Sequence, residues 1–271
     1  MDGRIKNGQV NMDGTAMEYV RFGSGGTHLI FLPGLGDGLK TVRGTALPMA
    51  FMYRAYARRY TVWMMSRKNE LPERCSTRDM ANDVKKAMVQ LGIPRAHIVG
   101  VSMGGMIAQF LAADHPDRVE RLVLAVTCPC ANRVLQDAVS LWIVQAEQKD
   151  HRALMADNLQ RMYSAAYVHR NGWMVPVLSA VTKPASYDRF LVQARACINH
   201  DARAVLPAIA APTLIIGGGE DQVVGCEGSH ELHGHIARSQ LHIYPHGTHA
   251  LYEEEKDFHR LVLDFLGGSL A

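Results

Sequence analysis

Ile98-Val99-Gly100-Val101-Ser102-Met103-Gly104-Gly105 carries an apolar run up to a serine fenced by glycines, and a helix-like stretch begins at once. The order reads strand, tight turn, helix. A serine at such a turn is held in a strained backbone conformation that only small neighbours permit. Gly100 and Gly104 thus leave room for the chain to reverse beneath an exposed hydroxyl. Upstream, the apolar run starts after a Gly92-Ile93-Pro94 break. Downstream, Met106, Ile107, Ala108, Phe110 and Leu111 continue as a helix that ends near His115-Pro116. Residues 119–126, VERLVLAV, then form another continuous apolar run, the pattern of a parallel strand covered by helices on both faces.

Residues 100–126, GVSMGGMIAQFLAADHPDRVERLVLAV, resemble the α/β-hydrolase superfamily nearly position by position. The resemblance implies an α/β-hydrolase fold: a mostly parallel central sheet with flanking helices, a nucleophile at Ser102 and, in many members, an inserted helical cap. It is closest to capped small-molecule carboxylesterases and enol-lactonases. A serine at the elbow argues against the dehalogenase and epoxide hydrolase branches, where an aspartate stands there.

At 271 residues and 48% hydrophobic content the chain can bury a large core, which suits one domain of α/β type. The formal charge is +3 and the 29 basic residues are scattered, so no basic stripe points to nucleic acid or an anionic membrane. The N-terminal MDGRIKNGQVNMDG has no apolar signal core, and no stretch approaches the roughly 18 apolar residues of a membrane span. A cytoplasmic protein acting on a small-molecule substrate is expected, without nucleic-acid or membrane partners. Five cysteines without CxxC pairs suit reduced thiols. Cys128-Pro129-Cys130 has no companion ligands at fitting spacing, and His230, His233 and His235 do not share one face of a helix, so no metal is expected.

Along the chain, residues 17–21 and 28–32 read as strands, and the second runs into Pro33-Gly34-Leu35-Gly36-Asp37-Gly38. This loop carries neither GxGxxG nor GxxxxGK[ST], so its glycines are not a phosphate cradle. In the resembled family a His-Gly-x segment at this place gives a backbone N–H to the oxyanion hole, and Gly34-Leu35 aligns with it. By that carry-over the donors are the amides of Leu35 and Met103. Pro33 stands where many members have histidine, which removes a side chain from beneath the loop but not the donor. Residues 49–59 then read as helix, 60–65 as strand and 66–75 as polar loop. Residues 77–91 have helical periodicity, with Ser76 or Thr77 as N-cap.

From 128 to about 207 only helix-like stretches occur, notably 134–148, 151–163 and 186–198. The resemblance makes 128–207 a cap over a core formed by 1–127 and 208–271. Trp142, Met155, Met162, Tyr163, Tyr167, Trp173 and Met174 supply aromatic and thioether surface there, and Gly34, Trp142 and Tyr163 are the expected substrate-binding residues. Arg133, Lys149, Arg152, Arg161 and Arg195 read as solvated, which leaves the pocket without an evident charge-selective group. After the strand at 213–217, Asp221 matches the family's triad acid, with Glu220 one residue early. After the strand at 240–244, His249 matches the triad histidine, with His246 as competitor, and a last helix spans 254–266. The chain order Ser102, Asp221, His249 is that of α/β-hydrolases.

A serine hydroxyl needs a base within hydrogen-bond reach, and an imidazole held by a carboxylate supplies one. The expected function is therefore a serine hydrolase of a small apolar ester or lactone, working through an acyl-enzyme on Ser102 and needing no cofactor. A carbon–carbon bond hydrolase, a haloperoxidase-like enzyme, and a ligand receptor or acyltransferase that does not turn over with water are the alternatives.

Overall fold

A computed structural model describes residues 5–268, in which one eight-stranded sheet has the order β1-β2-β4-β3-β5-β6-β7-β8. The strands are β1 (Lys6–Met12), β2 (Thr15–Phe22), β3 (Thr27–Leu32), β4 (Tyr60–Lys68), β5 (Ala96–Val101), β6 (Val119–Ala125), β7 (Thr213–Gly218) and β8 (Ser239–Tyr244). β1 and β2 form an antiparallel hairpin, β2 pairs antiparallel with β4, and every later pair is parallel. Alternate residues of the central strands feed two cores, as a period of two requires. Ile30, Ile98, Leu122 and Ile215 face α3 (Thr77–Gln90) and α4 (Met103–Asp114). Leu29, Val99, Val123 and Leu214 face α1 (Ala46–Met52), α2 (Arg54–Ala57) and α12 (Phe258–Leu266).

Five helices lie between β6 and β7: α5 (Arg133–Glu147), α6 (His151–Met162), α7 (Ala165–Asn171), α8 (Val175–Thr182) and α9 (Asp188–Ile198). The sequence indicates only three of these, because 165–182 holds two short helices joined by a 3-10 turn, Gly172–Met174, with exposed apolar side chains at Trp173 of the turn and Val177 and Val181 of α8. α10 (Glu227–His235) and α11 (Leu251–Glu254) complete the set.

Three local expectations are corrected, and one strand is added. The added strand is β1, mostly solvent-facing, and the Asp13-Gly14 turn, both at positive φ, closes its hairpin with β2. β4 runs on to Lys68: Ser66, Arg67 and Lys68 are buried strand, not polar loop. The helix expected at 49–59 is two short ones, and that at 254–266 breaks between Glu254 and Phe258. Ser76 is the N-cap of α3, with a reciprocal bond pair to Asp79. Among the described residues, no helix is long and apolar enough to cross a membrane, and no three His, Cys, Asp or Glu side chains group to hold a metal. Asp13, Lys68, Asp83 and Lys86 line a groove of about 580 Å³ and satisfy one another as ion pairs.

Candidate active site

Ser102 follows β5 directly and adopts φ 54°, ψ −122°, a left-handed conformation rare outside glycine, before α4 begins at Met103. Its own N–H donates to the Ala125 carbonyl of β6 at 2.9 Å, which anchors the turn. The glycines are needed for approach: a Cβ on Gly104 would lie 1.9 Å from the Leu32 carbonyl oxygen, and one on Gly100 2.6 Å from the Gly104 oxygen.

Three loops at the carboxyl ends of the strands bring the polar side chains together. His249 Nε2 lies 3.0 Å from Ser102 Oγ, and His249 Nδ1 lies 2.8 Å from Asp221 Oδ2. With Nδ1–H donating to the carboxylate, Nε2 is the free acceptor for the serine proton. The other Asp221 oxygen accepts the Val223 and Val224 N–H groups at 2.8 and 3.0 Å, so the carboxylate cannot swing. Both side chains are shielded, at 4% exposure for His249 and 1% for Asp221. The competitors pair elsewhere: His246 and Glu220 bond each other at 2.8 Å on the surface.

Gly34 packs beside the nucleophile, where a Cβ would lie 3.4 Å from Ser102 Cβ. Leu35 opens a short 3-10 turn, Leu35–Gly38, and lines the cavity. Met103 is the first residue of α4, and an N–H there has no acceptor within its helix. The cavity in front of Ser102 measures about 340 Å³ and is walled by the 33–37 loop, Trp142, Asn158, Met162, Tyr163, His249, Tyr252 and Glu253. Trp142 Nε1 donates to Asp157 at 2.7 Å, and the Tyr163 hydroxyl donates to Glu253 at 2.8 Å. Withdrawal from water raises the Glu253 carboxyl above its ordinary value; the Tyr163 bond opposes this and Glu254 adds to it. The wall therefore carries an acidic group and an amide, where the sequence suggests an uncharged apolar pocket. A smaller apolar recess, about 140 Å³, adjoins through Pro33, Gly34 and Tyr252 and is lined by Phe31, Val42, Met49, Tyr53, Met64 and Val101.

Behind the 33–37 loop lies a cluster that sequence reasoning misses. Arg67 on β4 donates from Nη1 to the Pro33 carbonyl and from Nη2 to the Gly34 carbonyl, each at 2.6 Å, and from Nε to Gln193 of α9 at 2.9 Å. Asp37 accepts the Arg67 N–H at 3.1 Å and lies 3.5 Å from its Nε. Arg189 of α9 bonds the Asp37 carboxylate at 2.5 Å and also reaches its carbonyl. Burial pulls the Arg67 pKa down and Asp37 opposes this; a guanidinium keeps its charge even so. The available signal was a charged residue continuing a strand, Ser66-Arg67-Lys68 after six apolar or β-branched positions.

The sequence profile described as the alpha/beta hydrolase fold matches residues 27–256. A 2-hydroxy-6-oxononadienedioate/2-hydroxy-6-oxononatrienedioate hydrolase of Pseudomonas putida is 28% identical over 278 residues, covering 97% of this chain and 94% of that one. A putative carbamate hydrolase, RutD, of Variovorax paradoxus is 30% identical over 209 residues, covering 69% of this chain and 72% of that one. The crystal structure of an enol-lactonase from Burkholderia xenovorans superposes with a TM-score of 0.80 at 24% identity, over 96% of this chain and 100% of that one, a likeness of fold. With the profile spanning most of its length and the elbow, sheet and helices in order, the chain belongs to the α/β-hydrolase fold family.

Proposed function

We propose that this protein is a serine hydrolase that cleaves a small carboxylic ester or lactone through an acyl-enzyme on Ser102. The observation that carries the reading is the unbroken hydrogen-bonded chain from Ser102 Oγ through His249 to Asp221. His249 Nε2 takes the hydroxyl proton as Oγ attacks the carbonyl carbon, and Asp221 stabilises the imidazolium. The carbonyl oxygen becomes an oxyanion held by the Leu35 and Met103 N–H groups. Collapse breaks the carbon–oxygen bond to the leaving alkoxide, which takes the proton from His249. Water, deprotonated by His249, then attacks the acyl carbon; the bond to Ser102 Oγ breaks, Oγ takes the proton back from His249, and the acid is released.

The cavity limits the size of the substrate. About 340 Å³ sits at the small end of small-molecule sites, which suits short or medium acyl groups over lipids or peptides. Residues 128–207 serve as the cap, with Trp142 and Tyr163 meeting the substrate and Gly34 allowing its approach to Ser102. Carbon–carbon bond hydrolysis is the second reading, favoured by the Pseudomonas putida relative. Against a dicarboxylate substrate, none of the described residues lining the cavity is Lys or Arg, and the donors of Arg67 and Arg189 are engaged with the protein. A panel of nitrophenyl esters from two to sixteen acyl carbons, simple lactones and a vinylogous 1,5-diketone tests both. Rates peaking at short or medium esters or lactones support the proposal; turnover of the diketone alone moves the second reading ahead. Fluorophosphonate labelling of Ser102 without any turnover in buffer would point to a receptor or transferase.

A further inference from the structure

Gly34 O and Leu35 N–H are the two ends of one peptide unit, and Arg67 Nη2 donates to the carbonyl end at 2.6 Å. A cation bonded at the carbonyl draws density from the N–H and makes it a stronger donor, while fixing the plane in which it points. The neighbouring amino group of the same guanidinium donates to Pro33 O at 2.6 Å, so the fork grips two successive carbonyls. Nη2 also lies 3.7 Å from the sulfur of Met103, the residue that supplies the other proposed donor. Pro33 has neither an N–H nor a polar side chain with which to anchor this loop.

From this geometry we infer that Arg67 is a positioning residue for the oxyanion hole, acting through the Gly34–Leu35 peptide and held in register by helix α9. The inference rests on the Ser102 reading above. A buried ion pair that only stabilised the fold would need Asp37, but not the two carbonyls. Helix α9 holds the guanidinium from two points one turn apart: Gln193 Oε1 accepts from Arg67 Nε at 2.9 Å, and Arg189 clamps Asp37. The position of α9, within the proposed cap, is thereby tied to the strength of oxyanion binding.

The test compares Arg67→Lys, which keeps the charge but loses the fork, with Gln193→Leu, which leaves Arg67 in place without its orienting acceptor. Each is assayed with a short nitrophenyl ester, with an alkyl boronic acid as tetrahedral analogue, and by infrared spectroscopy of the carbonyl in a cinnamoyl-enzyme. In Arg67→Lys kcat should fall roughly 10- to 100-fold with KM within about threefold, since part of one oxyanion donor's effect is lost. Boronate affinity should fall by a similar factor and the acyl carbonyl stretch should rise in frequency. Gln193→Leu should show the same changes at smaller size. An unmoved stretch, or a loss carried by KM alone, overturns the inference. If Arg67→Lys does not fold, the stretch in Gln193→Leu decides. If the wild type turns over no ester, the Ser102 reading fails separately, and the ¹⁵N–¹H resonance of Leu35 in Gln193→Leu decides this one: an upfield shift supports it, an unchanged position overturns it.

Discussion

Replacing Gly104 by alanine perturbs the elbow without removing a polar group. The added Cβ would lie 1.9 Å from the Leu32 carbonyl oxygen, 2.5 Å from its carbon and 2.8 Å from the Pro33 oxygen, all main chain. Relief to an ordinary contact of ~3.5 Å requires the end of β3 and the 33–37 loop to retreat from α4 by ~1.5 Å. That movement carries Gly34 and Leu35 away from Ser102. Overpacking of this kind destabilises by about 1–3 kcal/mol, and a 1 Å misplacement at a reacting centre lowers rates by about 100-fold. Thermal unfolding together with the rate of fluorophosphonate labelling reads both effects, with Gly26→Ala as control because a Cβ there meets nothing within 4 Å. A Gly104→Ala protein with the melting temperature and labelling rate of the wild type would refute the packing argument.

Three further outcomes are expected. His249→Ala should lower ester turnover by about 10⁶-fold, whereas His246→Ala should keep most of it, since His246 bonds to surface Glu220; steady-state rates compare the two. Asp221→Asn should lose about 10⁴-fold through the wrong imidazole tautomer, and Glu220→Gln little, so a reversed ranking would reassign the acid. Burial holds His200, bonded to Thr77, down at about 4, so the fold accepts only the neutral ring while the unfolded chain binds its proton near 6.5. Its stabilisation is complete above ~6.5 and lost as pH falls toward about 4, amounting to ~3 kcal/mol at 1.36 kcal/mol per unit. Melting temperatures across that window should fall steeply in the wild type and less in His200→Gln; a flat wild-type profile would contradict this.

The elbow is legible in the sequence because all it requires, an apolar strand, a serine and small neighbours, is contiguous from Ala96 to Gly105. The parallel order of the sheet follows from repeated apolar runs such as 119–126, which only a doubly covered strand needs. β1 escapes notice because KNGQVNM buries only Val10 and Met12, and its Asp-Gly turn is a stronger signal than its side chains. Arg67 escapes for a different reason. A charge in a strand takes its meaning from partners far along the chain, here Asp37 and Gln193, 30 and 126 residues away. Glu253 likewise belongs to the cavity only because Tyr163, 90 residues before it, is folded against it.

The most direct measurement is to mix the protein with a short nitrophenyl ester, quench in acid within one turnover, and map the acyl group by peptide mass spectrometry. The adduct should lie on the peptide containing Ser102, form as fast as the nitrophenol burst and be absent from Ser102→Ala. Nitrophenol released at full rate by Ser102→Ala, or an acyl group mapped to any other residue, would contradict it.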